Sequence, residues 1–503
     1  MTELASIDPP VDLLIIGAGI SGIGMAAHFA GKCPGKRFEI LEKRGRIGGT
    51  WDLFRYPGIR SDSDMFTLSY AFHPWHAPES IADGAAIRDY LGEVVDAHGL
   101  RDHVRLGEAM IAADWDSNAG LWRVTSELQN GSRRQRSARF LYMATGYYDY
   151  DVPHEPEIPG LGNFAGLTIH PQFWPEHTDI AGKNVVVIGS GATAVTLVPA
   201  MADTAAHVTM LQRTPTWYLN RPRHDKLADW LRKLLPARLA HRLIRMRNVR
   251  MQDFLFRTAR NKPGQVAEFL KNEARDRLGD AYDQEAFTPP YAPWQQRLCL
   301  VPDGDFFAAV RSGKASVATG RIAAVEAGGV RLEDGRQLPA DVIVTATGLR
   351  LSMLGKAAIS IDGRPIDLSE HFYYRNCMFS NVPNFAALFG YLNASWTLRV
   401  DIVAEWLCRL VNQMEFWGTD VVTPHLAPDH GLSEQNPADL FSSGYLQRGR
   451  HLLPKSSTSE PWRISMHYRS DRAAMRAAPI DDGVLRFARA AAPAEVAAAP
   501  HLP

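Results

Sequence analysis

Two glycine-rich turns, each set between an apolar run and a helical stretch, constrain this chain more than anything else in it. The first, Gly17-Ala18-Gly19-Ile20-Ser21-Gly22, follows the apolar run Val11 to Ile16 and opens a helical stretch through Phe29. A second apolar strand ends on Glu42, about 20 residues past the last glycine, where a carboxylate hydrogen-bonds an unphosphorylated ribose. The second turn, Gly189-Ser190-Gly191-Ala192-Thr193-Ala194, follows Val185 to Ile188, and its next strand, Val208 to Leu211, ends in Gln212-Arg213-Thr214. An arginine there fits a ribose 2′-phosphate. In both turns the glycines let backbone N–H groups approach a pyrophosphate at a helix N-terminus. The pattern predicts an α/β protein with two Rossmann-like dinucleotide-binding domains, one for FAD and one for NADPH, and hydride transfer between them.

At 503 residues the chain has room for two or three domains. Alternating strand and helix patterns run from Val11 to about Asp151, closed by the strand Phe140 to Met143 and Ala144-Thr145-Gly146. Val342 to Thr345 leads into Ala346-Thr347-Gly348 in the same way. The expected division is a discontinuous FAD-binding domain over 1–155 and 351–503 and an NADP-binding domain over 156–350, with a helical insertion at about 221–288. From Ala490 onward the Ala- and Pro-rich chain reads as a loose tail. Trp230 to Gln252 contains no acid but seven basic residues among leucines at helical spacing, an amphipathic basic helix. Two readings stand for it: a peripheral membrane or substrate-entry helix, and a helix packed on the core with a solvated basic face, the commoner arrangement.

Composition narrows the function. Lys+Arg and Asp+Glu both total 55, so no global basic field points to nucleic acid. The apolar runs fall short of the ~18 residues of a membrane span. MTELASIDPP lacks a basic leader region, so the expected compartment is the cytoplasm. The four cysteines, Cys33, Cys299, Cys377 and Cys408, form no C-x-x-C pair. With no closely spaced thiols to relay electrons, dioxygen is the expected acceptor.

Two longer motifs surround these turns. Phe164-Ala165-Gly166-Leu167-Thr168-Ile169-His170-Pro171-Gln172-Phe173-Trp174-Pro175 fits F-x-G-x-x-x-H-x-x-x-W-P at each defined position. Gly48-Gly49-Thr50-Trp51, Tyr56-Pro57-Gly58 and Asp62 fit G-G-x-W-x-x-x-x-Y-P-G-x-x-x-D. Over nearly its whole length the chain resembles the type I Baeyer-Villiger monooxygenases. GGTWDLFRYPGIRSDSDM, NVVVIGSGATAVTLVPAMAD and QRLCLVPDGD look most like the mycobacterial ethionamide-activating subgroup. Near relatives that hydroxylate nitrogen and sulfur carry Tyr in place of Trp174.

The resemblance implies FAD- and NADPH-dependent conversion of a small lipophilic ketone, with dioxygen, to an ester or lactone through a flavin peroxide, together with oxidation of thioethers. It assigns Arg297 as the active-site arginine and Asp62 as the carboxylate that orients it. Arg60 and Ser61 are the implied NADP contacts; Ser21, Thr50, Trp51, Asp52 and Leu53 the implied FAD contacts; Met110 lies on the adenine side. His170 and Trp174 would couple the domains, and no metal is expected. Where family members carry Lys before the arginine this chain has Gln296, which leaves NADPH selectivity to Arg213 and Thr214. Trp396 and the cluster Phe372-Tyr373-Tyr374 are candidates for the cavity wall, with core packing the commoner fate of such aromatics. The alternatives are a flavin monooxygenase acting mainly on sulfur or nitrogen and a flavin redox sensor or electron carrier.

Overall fold

The computed structural model describes residues 9–490, so the tail expected beyond Ala490 lies outside the described residues. The chain begins with strand β1 (Val11–Ile16), helix α1 (Ile20–Lys32) and strand β2 (Phe38–Glu42). Helices α2 (Thr50–Leu53), α3 (Met65–Leu68) and α4 (Gly84–Ala97) follow, then strands β3 (Val104–Leu106), β4 (Glu108–Asp116), β5 (Leu121–Leu128) and β6 (Arg133–Met143). β1 pairs in parallel with both β2 and β6, and Leu13, Leu14 and Ile15 are fully buried. A parallel strand covered on both faces needs such an unbroken apolar run. Besides β1, the long β6 has two further partners: its first half pairs with β5 and its last residues with the strand Phe385–Ala387. Residues after Gly348 thus return to an 11-stranded sheet, to which Ala358–Ile361 is also added beside β4.

A second, five-stranded parallel sheet is built from β7 (Leu167–Ile169), β8 (Asn184–Ile188), β9 (His207–Gln212) and the strands Ala315–Thr319 and Val342–Thr345. Helix α5 (Ala192–Met201) crosses from β8 to β9. The two sheets repeat one device. Gly17 (φ +107°) would place a Cβ 2.6 Å from the Ala144 carbonyl oxygen, and Gly189 (φ +139°) one 2.2 Å from that of Ala346. Each first glycine is therefore required both by its backbone angle and by the Ala-Thr-Gly crossing packed against it. Two Rossmann-like halves in one α/β chain are what the fingerprints predict.

The residues between the strands Tyr218–Arg221 and Cys299–Pro302 are mostly helical, beginning with α6 (Lys226–Leu234) and α7 (Ala237–Asn261). The single helix expected over 230–252 is broken. Pro236 has no N–H to donate and disfavours helical angles in the residue before it, and Leu235 is accordingly extended at φ −121°, ψ 151°. The basic residues also divide. Arg245 is buried, 2.9 Å from the Asp401 carboxylate, and Arg247 pairs with Asp225, the N-cap of α6.

Candidate functional site

Neither α1 nor α5 has a side-chain cap at its first turn; each begins on a glycine, Gly19 and Gly191 respectively. Backbone N–H groups left without side-chain partners at a helix start are what an anionic pyrophosphate requires. Above the first turn lies a cavity of about 360 Å³. Its wall includes Glu42 and Met110, the glycine turn with Gly17, Gly19 and Ser21, then Thr50 and Trp51, and also Asp62, Arg297 and Trp396. Glu42 is held in place because its two carboxylate oxygens accept from the backbone N–H groups of Ala18 (2.7 Å) and Arg44 (2.8 Å). Burial raises its pKa while those two bonds oppose the rise, and lone pairs remain for ribose hydroxyls. The glycine turn, the fixed carboxylate and the extended cleft fit a flavin dinucleotide.

Gly22 sits at the start of α1 but is not part of the cavity wall, and neither are Asp52 and Leu53. The buried Asp52 carboxylate is engaged by Arg44 at 2.7 Å and Arg55 at 3.2 Å. Its geometry is that of a brace under the loop, without side-chain access to the cleft. Ser21, by contrast, accepts a hydrogen bond from the Trp396 indole N–H at 2.8 Å, and that indole stacks on Tyr147 at 5.3 Å.

Arg297 and Asp62, distant in sequence, meet in the cavity with Nη2 2.6 Å from Oδ2. Their side chains keep 36% and 44% exposure, so the pair faces the cleft and is not sealed in the core. The Asp62 carboxylate pushes the Arg297 pKa further up, outweighing burial, and the guanidinium stays charged at any working pH. Beside it, Tyr147 and Tyr445 are neutral phenols, because burial raises both pKa values against the opposing influence of Arg297. The loop bearing Asp62 is held from α7. Asn248 donates to Asp64 at 2.9 Å and Gln252 at 2.8 Å, while Asp64 also caps α3.

Arg60 and Ser61 line the cavity as well. Arg60 is ion-paired with Asp305, and the Ser61 amide donates to the Ala82 carbonyl at 2.9 Å. The preceding Tyr56-Pro57-Gly58 turn brings this loop against α5, where Gly58 lies beside Ala200 and Thr196. Ala192 and Thr193 of α5 thereby reach the cavity, so the second helix start abuts the first cleft. The rest of the second fingerprint, Gly189, Ser190, Gly191 and Ala194, lies outside it around the start of α5. There Ser190 donates to the Thr214 carbonyl at 2.8 Å. Arg213 is exposed and carries no ion pair among the described residues.

His170 and Trp174 do not line the cavity. His170 starts the turn Pro171–Phe173, accepting from the Gln172 amide at 3.2 Å, and Gln172 in turn donates to the Asp149 carbonyl at 2.8 Å. This ties the edge strand β7 to the chain leaving β6. Trp174 is half-buried against the core of the second sheet. Phe372 and Tyr374 are core residues, and Tyr373 borders a separate apolar cavity behind Thr145 and Gly146. No group of three potential metal ligands occurs among the described residues.

Sequence reasoning missed Tyr147 and Tyr445, and the amides Asn248 and Gln252. Tyr147 could have been found from its place directly after Ala144-Thr145-Gly146. The amides sit four apart, one helical turn, in a segment otherwise basic. Tyr445 carries no short-range signal.

Comparison with known proteins places these features in context. Residues 14–253 match the family model described as pyridine nucleotide-disulphide oxidoreductase. The chain is 46% identical over 480 residues to a probable FAD-binding monooxygenase AlmA of Acinetobacter baylyi, covering 95% of this chain and 96% of that one. It is 44% identical over 488 residues to the FAD-containing monooxygenase EthA of Mycobacterium tuberculosis, covering 97% and 99%. Among solved structures it is similar to cyclohexanone monooxygenase bound to ε-caprolactone, with a TM-score of 0.74, 21% identity and coverage of 95% and 99%.

Proposed function

The chain belongs to the FAD-containing monooxygenases, and from that premise we propose that it is a Baeyer-Villiger enzyme, converting lipophilic ketones to esters or lactones and oxidising thioethers to sulfoxides. Its cofactors are FAD and NADPH. Bound above the first glycine turn, FAD would supply the redox chemistry and the activation of dioxygen, with NADPH as the reductant. Gly17, Gly19, Ser21, Glu42, Thr50, Trp51 and Met110 would hold the flavin dinucleotide, and the turn from Gly189 to Ala194 with Arg213 and Thr214 would hold the nicotinamide dinucleotide.

The observation that carries the reading is the Arg297–Asp62 pair in the wall of the cleft that the start of the second helix also reaches. A charged guanidinium with one edge fixed by a carboxylate presents its remaining N–H groups in a set direction. There it holds an anionic oxygen close to the substrate and stabilises the negative charge that develops on a carbonyl oxygen under attack. Stacked Tyr147 and Trp396 cover the neighbouring wall, keeping water from the reacting oxygen.

An electron-carrier reading finds no support in the thiol nearest the arginine pair. All four cysteines are free and buried, and burial pushes the Cys299 thiol, nearest to Arg297, up to about 11, leaving it protonated at neutral pH.

The test is product analysis with the FAD-loaded enzyme, NADPH, air, a linear ketone, a cyclic ketone and a thioether. Ester and lactone are expected; sulfoxide with both ketones untouched would shift the assignment to a sulfur monooxygenase. A second expectation concerns the free arginine. Arg213→Ala should raise KM for NADPH about tenfold, the loss of one charge-assisted contact, and narrow the preference over NADH. Unchanged selectivity would remove Arg213 from the 2′-phosphate site.

A further inference from the structure

One surface of the helical segment takes no part in this chemistry. On α6, Leu227, Trp230 and Leu234 follow one another at helical spacing and are 47%, 56% and 61% exposed. The other side of the same helix already meets the core through buried Ala228 and partly buried Leu231. The stripe therefore faces outward although an inward apolar face exists. It continues on α7 with Leu239, Met246 and Phe254, the last 71% exposed. Eight of the fifteen large apolar side chains exposed on the described surface lie between Leu227 and Phe269, a concentration that scattered surface apolarity does not produce.

The basic residues of the region separate into two sets. Arg232 donates to the Ala77 carbonyl at 2.9 Å, Arg245 pairs with Asp401 and Arg247 with Asp225, so these fix the helices to the body. Lys226, Lys233, Arg238, Arg242 and Arg250 are exposed and have no acidic partner among the described residues. Asp229 is the one acid from Lys226 to Gln252.

We propose that the outward face of α6 and α7 docks on an anionic lipid surface. An apolar stripe edged by unpaired cations matches the boundary between acyl chains and anionic headgroups, the apolar side chains entering and the cations remaining at headgroup level. No helix among the described residues is long and apolar enough to cross a membrane, so the contact is peripheral. A second copy of the chain is the poorer occupant, since face-to-face association would bring the five unpaired cations of each copy together.

The experiment is co-sedimentation of the full-length, FAD-loaded enzyme with vesicles of phosphatidylcholine alone and with phosphatidylglycerol added. Binding is expected to the anionic vesicles at low salt, weakening as salt rises and absent with phosphatidylcholine alone. The variant Trp230→Ser/Leu234→Ser should bind about tenfold more weakly, through lost apolar burial, and Lys233→Gln/Arg238→Gln should show a reduced salt dependence. FAD content and circular dichroism establish that both variants are folded. No binding to anionic vesicles at low salt, or binding indifferent to both double substitutions, would overturn the proposal. So would a dimer in light scattering that Trp230→Ser/Leu234→Ser abolishes, because a second copy would then cover the face.

Discussion

Arg297→Ala should lower ester formation about 10²- to 10³-fold, the usual consequence of removing one preorganised donor from a site of developing negative charge. FAD content should be unchanged, because the glycine turn and the fixed Glu42 carboxylate, neither of which Arg297 contacts, remain in place. Arg297→Lys keeps the charge but not the planar fork that Asp62 grips. It should recover part of the binding and little of the rate. Asp62→Asn would leave the arginine charged with its orientation unfixed, and a fall in kcat larger than any change in KM for the ketone is expected. Rapid-reaction measurement of FAD reduction, alongside product yield, separates a hydride-transfer defect from a defect in the oxygen-transferring step. Full ester yield from Arg297→Ala would exclude the arginine from the chemistry.

The second large effect is on stability. Asp401, buried in the helix Thr397–Trp417, lies 3.1 Å from His28 Nε2 of α1 and 2.9 Å from Arg245 of α7, and accepts from the Ala71 amide at 3.1 Å. Asp401→Ala should destabilise the fold by about 3–5 kcal/mol, the cost of leaving a buried charge without its partner. Most of it comes from the stranded Arg245, whose remaining contacts are the carbonyls of Phe66, Thr67 and Ser69. Burial alone would raise the Asp401 pKa, but the His28 hydrogen bond and the Arg245 charge hold it below the ordinary carboxylate value. A carboxylate depressed in the native state contributes stability above its unfolded value near ~4 and loses it as pH falls through the native value. The wild type should therefore lose stability in that acid window more steeply than Asp401→Asn. Urea unfolding followed by circular dichroism at stepped pH reads this directly, and coincident acid profiles would contradict it.

Much of the fold is legible in the sequence because parallel strands covered on both faces are written as short unbroken apolar runs. The Ala-Thr-Gly segments after Met143 and Thr345 read as crossings between domains near a dinucleotide, and the carbonyls of Ala144 and Ala346 lie against Gly17 and Gly189. The break between α6 and α7 is also written, in Leu235-Pro236, but is hidden when leucine periodicity is followed through the proline. What cannot be read locally is which distant groups meet. Arg297 and Asp62 entered through resemblance to a family, since no spacing rule joins a loop after α2 to a segment before the strand Cys299–Pro302. The division of the arginines is of the same kind. Arg245 and Arg242 look alike in sequence, yet only the first faces a buried carboxylate, a difference set by the packing of α7 on α3, which brings Arg245 to Asp401.

The measurement closest to the central claim is mass spectrometry of the product formed from a cyclic ketone by the FAD-loaded enzyme with NADPH under isotopically labelled dioxygen. A lactone carrying one labelled oxygen, in the ring position, is the expected result. Consumption of NADPH with labelled hydrogen peroxide and no lactone from any ketone offered, or a labelled sulfoxide as the sole oxygenated product when a thioether is added, would contradict it.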